Sequence, residues 1–175
     1  MVFDRLFSKA HQQREEQNPT NLRVGDAVSI GGDDLTVEQC HELHGDGGDI
    51  WWKYLLQSPE RRIWLDVDED QGLTLTTYEP VRVHVSMPVP PALSLAGKTF
   101  SIDEHGFAND VVTKRSGTGA ERVEYWYLSS EDGSQLAIWR LGDNPDDLDA
   151  TQQTGTVEVG LGQEIKSYQL TIYQR

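Results

Sequence analysis

Cysteine is nearly absent. Cys40 is the single one in the 175-residue chain, which excludes an internal disulfide framework and any zinc site built from several thiolates. Cations are scarce as well: 15 Lys and Arg stand against 29 Asp and Glu, for a net charge of −14. Phosphate backbones are gripped by clustered Lys and Arg, so this balance excludes nucleic acid as a partner. Long apolar runs are missing too, and none approaches the roughly 18 residues of a membrane-spanning helix. Asp4 and Arg5 interrupt the apolar start, which therefore lacks the basic-then-apolar layout of a secretory signal. These absences lead us to expect a soluble, acidic, cytoplasmic protein.

Helical periodicity is confined to the beginning. Val2, Phe3, Leu6, Phe7 and Ala10 recur at helical spacing, which predicts one short amphipathic helix over 2–16. Asn18-Pro19 closes it, because the residue before proline is pushed out of the helical region. Over residues 1–14, Arg5, Lys9 and Arg14 against Asp4 give a net of +2 on an acidic chain. A basic amphipathic helix can dock on its own domain, meet a partner or lie on a membrane surface. Val2, Phe3, Leu6 and Phe7 are its candidate contact residues.

From Leu22 onward the pattern is strands and turns. Ala27–Ile30 and Leu35–Cys40 flank the turn composition Gly31-Gly32-Asp33-Asp34 and read as a hairpin. Ile50–Leu56 suits a buried strand, and Arg62–Val67, Leu73–Tyr78 and the alternating Val81, Val83 and Val85 read as further strands. Met87-Pro88-Val89-Pro90-Pro91 cannot sit inside a sheet, since proline removes ladder donors, and it divides the chain.

Beyond that divider the pattern recurs. Gly25, Ser29 and Ile30 return as Gly97, Ser101 and Ile102 at one offset, and Gly45 and Gly47 as Gly117 and Gly119 at the same offset. Tyr54-Leu55 and Ile63-Trp64 return as Tyr127-Leu128 and Ile138-Trp139 at slightly longer ones. The expected fold is mainly β: two duplicated antiparallel β-meander or small-barrel halves in one compact unit, behind the N-terminal helix. The expected divisions are 1–21 for helix and linker, 22–86 for the first repeat, 87–91 for the divider, and 92–175 for the second repeat. A closing strand carries Ile165, Tyr168, Leu170 and Ile172.

Leu22-Arg23-Val24-Gly25-Asp26, Trp52-Lys53-Tyr54-Leu55-Leu56 and Ile63-Trp64-Leu65-Asp66-Val67-Asp68-Glu69-Asp70 follow one another in an order and spacing that resembles the bacterial family called domain of unknown function 4178. The resemblance spans about residues 22–174, including Gly97-Lys98-Thr99-Phe100 and Trp126-Tyr127-Leu128. It implies a β-rich cytoplasmic domain without an assigned activity. It also implies gene neighbours such as aminopropyltransferase-like polyamine synthases, small membrane proteins or phage-shock-protein-A-like membrane-stress proteins. It supplies no functional residues.

The sharpest local cluster is Asp66, Asp68 and Asp70. Alternating oxygen ligands gather hard cations, but Gly72 falls one place late for an EF-hand loop and Thr77 stands where its glutamate belongs. If Trp64–Val67 is a strand with Trp64 in the core, Asp66 and Asp68 are expected at a solvated acidic end. Asp143, Asp146 and Asp147 are expected at the corresponding end of the second half. Such an end attracts polycations by its potential. Cys40, His41 and His44 are too few and too differently directed for a metal centre, so no metal and no cofactor is expected. No Gly-x-Ser-x-Gly elbow and no phosphate-cradling glycine loop occurs.

Adjacent aromatics, Trp51-Trp52 and Trp126-Tyr127, must point to opposite sheet faces. An exposed ring beside an acidic rim would attract a cation. The residues thereby assigned to a contact surface are Trp51, Trp126, Asp66, Asp68 and Asp70. The expected function is a non-catalytic acidic binding or adaptor domain, with a protein partner in a bacterial membrane-stress or polyamine-related system. The alternatives are a small-ligand sensor for a polyamine or divalent cation, and a peripheral membrane protein using the N-terminal helix.

Overall fold

A computed structural model describes residues 17–142 and 156–173. The helix expected over 2–16, with Val2, Phe3, Leu6 and Phe7, falls on residues outside those described, as do Asp143, Asp146 and Asp147. Among the described residues no helix is long and apolar enough to cross a membrane.

Eleven strands follow in order: Ala27–Ile30 (β1), Asp33–Gly45 (β2), Ile50–Gln57 (β3), Arg62–Asp68 (β4), Thr74–Pro80 (β5), Ala92–Leu95 (β6), Lys98–Lys114 (β7), Gly117–Ser129 (β8), Gln135–Gly142 (β9), Thr156–Ile165 (β10) and Leu170–Tyr173 (β11). A 3-10 turn, Ser167–Gln169, joins the last two. All belong to one antiparallel sheet, ordered β11-β1-β2-β3-β4-β5-β10-β9-β8-β7-β6. The β1–β2 turn has φ of 61° at Gly31 and 96° at Gly32, left-handed values that glycine adopts without a steric cost and that suit a tight hairpin.

One extra pairing changes the architecture. Gln39–Gly45 of β2 pairs with Ala108–Lys114 of β7, so β2 to β5 and β7 to β10 form a closed ring of eight strands. A ring of this size is just wide enough for side chains to fill. The expectation of two small-barrel halves is therefore corrected: two four-stranded meanders close jointly into one barrel, sealed along β2–β7 and β5–β10.

The long strands β2 and β7 each serve two layers. The start of β2 pairs with β1 and its end with β7, while the start of β7 pairs with β6. The register slips between Val37 and Gln39 in β2, and between Ile102 and Glu104 in β7. A bulge of one residue reverses which face the following side chains occupy. Leu35 and Val37 accordingly pack on the outside of the barrel, while Leu43, beyond the slip, packs inside. Phe100 and Ile102 pack outside, and Ala108 packs inside.

Three apolar clusters result. The interior holds Leu43, Trp51, Leu55, Trp64, Tyr78, Tyr125 and Trp139 among others. The outer face of the first meander, with Tyr54, Leu56, Ile63 and Leu65, is covered by Leu22, Val28, Leu35 and Val37. The outer face of the second, with Trp126, Leu128, Leu136 and Ile138, is covered by Phe100, Val85 and Val89. The strand expected over Val81–Val85 is not formed. Val81 donates its N–H to Val159 O at 2.8 Å, the chain then leaves the ladder, and Val85 and Val89 become apolar knobs on the second outer cluster.

The proposed residue correspondences match the topology only in part. Ile63-Trp64 and Ile138-Trp139 occupy β4 and β9 with both tryptophans inside and both isoleucines outside. Tyr54, however, packs outside and Tyr127 inside. Gly25 precedes β1, whereas Gly97 lies in the turn into β7.

Candidate acidic mouth of the barrel

Alternation along each barrel strand decides what meets the interior. On β4 the inward positions are Trp64, Asp66 and Asp68, so the apolar interior and the acidic pair share one face. Asp66 is correspondingly buried at 8% exposure, not solvated as the sequence suggests. Asp68 and Asp70, nearer the strand end, are exposed. The three open one mouth of the barrel as a cleft of about 760 Å³.

Asp49, Asp66, Asp68, Asp70, Asp103 and Glu104 line that cleft together with Trp51, Tyr78 and Tyr127, and among the described residues no Lys, Arg or His lines it. A hydrogen-bonded relay fixes its inner wall. Trp51 donates from Nε1 to the Tyr127 hydroxyl at 3.2 Å, and Tyr127 donates to Asp66 Oδ2 at 2.9 Å. The other oxygen, Asp66 Oδ1, is buried and accepts no hydrogen bond from the described residues. Tyr125 donates to Glu104 Oε1 at 3.0 Å, and Tyr78 to Gln135 Oε1 at 3.0 Å.

Burial pushes the Asp66 carboxyl up to about 6, and neighbouring Asp68 adds to the rise; the Lys53 ammonium and the Tyr127 hydroxyl pull the other way. Lys53 faces Asp66 across the β3–β4 ladder. Its ammonium lies 3.9 Å from the Trp64 ring centroid, 3.5 Å from that of Trp139, and 3.8 Å from Glu158 Oε2. Burial lowers its pKa, while Asp66, Glu158 and Asp110 oppose that shift. Toward the other mouth, His41 Nδ1 meets Asp110 Oδ2 at 2.8 Å across the β2–β7 seam. A cavity of about 140 Å³ there is lined by His41, Lys53, Asp110 and Glu158.

Four of the five contact residues inferred from sequence, Trp51, Asp66, Asp68 and Asp70, thus meet at one mouth. Trp126 does not. It packs in the second outer cluster, 4% exposed, with the His105 ring stacked 4.8 Å away. Neither tryptophan is an exposed ring: Trp51 is 7% exposed and edge-on to Tyr125. The expectation of two surface aromatics is corrected, because the barrel interior and the covered outer face leave no bare sheet face at either position.

β9 runs antiparallel to β8 and β10, and β4 antiparallel to β3 and β5. Followed round the ring, β4 and β9 point to opposite mouths. The described end of β9, at Gly142, lies at the mouth opposite Asp66–Asp70. Cys40 points outward, with Sγ 3.4 Å from Leu22 O, and His41 points inward. Burial and the nearby Asp26 carboxylate push the Cys40 thiol up to about 11. Among the described residues no three His, Cys, Asp or Glu side chains gather to hold a metal ion.

Sequence reading missed Tyr78, Tyr127, Asp49, Asp103, Glu104 and Lys53. Only Lys53 carries a local signal, as the one charge inside the apolar run from Ile50 to Leu56. The others come from four separate strands or turns that only ring closure brings together.

Fold and site define a closed antiparallel β-barrel with an acidic, aromatic-lined mouth. Residues 23–167 match the family described as Domain of unknown function (DUF4178), and the chain belongs to that family. Curated relatives include uncharacterized proteins of Mycobacterium tuberculosis and Mycobacterium bovis, each 30% identical over 90 residues. That alignment covers 51% of this chain and 43% of each relative, so the chain spans less than half of their length in the match. No solved structure matches the chain.

Proposed function

We propose that this protein is a non-catalytic binding domain and that the acidic mouth is its binding face, taking a cationic ligand. One observation carries the reading. Among the described residues, six carboxylates and no cationic side chain line a cleft whose inner end presents a buried carboxylate oxygen without a hydrogen-bond donor. Such a cleft concentrates cations through its potential, and a buried unmet acceptor favours any ligand that brings a donor. Polyamines, divalent cations and the basic side chains of a protein partner all meet the charge requirement. The last of these corresponds to an adaptor acting in a membrane-stress or polyamine-related system.

The binding reading also takes the two meanders as products of an internal duplication. What supports this is the recurrence of short strand, glycine-containing turn, bulge and four-stranded meander in each half. The test of function is thermal melting of the full chain with spermidine or calcium chloride, each against sodium chloride of matched ionic strength. A ligand at about 100 times its Kd adds roughly 2.7 kcal/mol of stability, and we expect a rise in Tm with at least one of the two. No rise with either would remove the ligand-binding reading.

A further inference from the structure

We propose that the acidic mouth selects a primary ammonium group carried on an extended aliphatic stem, with the ammonium seated against Asp66 and the stem leaving between the aromatic wall and the rim carboxylates. The proposal rests on the reading of the mouth as a cation site and names the chemistry of its ligand.

The carboxylates are strung out rather than convergent. A calcium ion requires about six to eight oxygens at roughly 2.3–2.6 Å, and among the described residues no such cluster forms. Asp66 and Asp68 are instead two residues apart on β4, a step of about 6–7 Å along a strand. Charges at that separation match a linear cation with ammonium groups divided by a short run of methylenes, not a compact ion.

Asp66 supplies the second, independent observation. It is 8% exposed, its Oδ2 already holds the Tyr127 hydroxyl, and its Oδ1 accepts nothing from the described residues. An ammonium brings three donors on a small head, enough to satisfy Oδ1 and still reach a neighbouring acceptor. Trp51, Tyr78 and Tyr127 offer ring faces and edges around it, and Ile50 offers exposed apolar surface for a stem.

The barrel already holds one alkylammonium in this manner. The Lys53 head group lies over the Trp64 and Trp139 rings beside Glu158, pairing ring-face attraction with a carboxylate. Lys53 also sets the depth of the mouth. As the cross-strand neighbour of Asp66, its positive charge repels a second ammonium from going further in, so the ligand head stops at Asp66. The same chemistry can arrive as a free diamine or polyamine, or as the lysine side chain of another protein.

The experiment is calorimetric titration of the full chain at fixed ionic strength with pentylamine, 1,5-diaminopentane, spermidine, a neutral peptide carrying one lysine, tetramethylammonium and calcium chloride. We expect saturable binding of the primary amines, and none of tetramethylammonium or calcium. Asp66→Asn should weaken every amine by about tenfold or more, as loss of a charged hydrogen bond does. Asp68→Asn with Asp70→Asn, both on the exposed rim, should weaken the diamine by a larger factor than pentylamine; this second variant keeps the test informative if Asp66→Asn fails to fold. Binding of the lysine peptide as tightly as pentylamine assigns the ligand to a partner protein, and its failure beside tight diamine binding assigns a free amine. Saturable, Asp66-dependent binding of calcium or tetramethylammonium without amine binding overturns this proposal and leaves the cation-site reading standing. Absence of binding by every cation, or binding indifferent to all three carboxylates, overturns both.

Discussion

Asp66 has its carboxyl pushed up to about 6 by burial, against an ordinary value of 3.8. Charged and titratable groups face it from three neighbouring strands and its own: Lys53 on β3, Tyr127 on β8, Tyr78 on β5 and Asp68 on β4. A raised carboxyl pKa means that the folded chain holds this proton more tightly than the unfolded one. Stability contributed by this group is therefore greatest at low pH and falls as pH rises from about 4 to about 6. Replacing Asp66 by Asn removes that dependence. The stability of the variant relative to the native chain should grow between pH 4 and pH 7, by on the order of 2–3 kcal/mol. Urea unfolding across that range checks it, and a difference that stays flat would contradict the assignment. Ammonium binding has the opposite sense: it requires the ionised carboxylate and should strengthen as pH passes upward through the same window.

At the scale of the strand, close approach decides composition. Gly160 and Gly162 of β10 lie against the Tyr78 side chain, and a Cβ on Gly162 would overlap the Tyr78 ring. The absence of side chains there lets Tyr78 lie across β10 at the β5–β10 seam and reach Gln135. Gly162→Ala should destabilise the protein by about 1–3 kcal/mol, the usual range for overpacking, and displace a residue that lines the mouth. Gly119→Ala, where an added Cβ meets nothing within 4 Å, is the control and should be near neutral. Denaturant midpoints of the two variants make the comparison. The bulges in β2 and β7 act at the same scale. Each reverses the alternation within one strand, so the apolar residues before it seal an outer cluster and those after it fill the barrel.

The whole molecule is held by closure. Each meander has two edges, and every one of them is paired with the other meander, β2 with β7 and β5 with β10. An isolated meander would expose two unpaired edges and the apolar interior face together. A fragment of residues 17–86 should therefore show no cooperative melting transition by circular dichroism, while the full chain melts as one unit. Independent two-state folding of that fragment would refute the joint barrel.

Much of this was legible beforehand at the level of elements. The aromatic and aliphatic density of Ile50–Leu56 marked a buried strand, Gly31-Gly32 marked a hairpin turn, and Asp66, Asp68 and Asp70 stood out by spacing. Their destination was not legible. Asp66 and Trp64 visibly share a face, but whether that face is solvent or barrel interior depends on closure between β2 and β7. The slips near Glu38 and Asp103 leave no local signature, so the faces beyond them could not be read by counting.

Sequence alone determined the mainly β character of the described chain, the Gly31-Gly32 hairpin turn and the net negative charge of the molecule, because propensity, alternation and charge are local or additive properties. Tertiary structure decided that Asp66 is buried rather than solvated, that Trp51 lines a mouth while Trp126 seals an outer layer, and that Tyr127 meets Asp66 from a strand far along the chain. Those outcomes depend on which strand edges find one another, a choice made by the joint burial of faces rather than by any single segment.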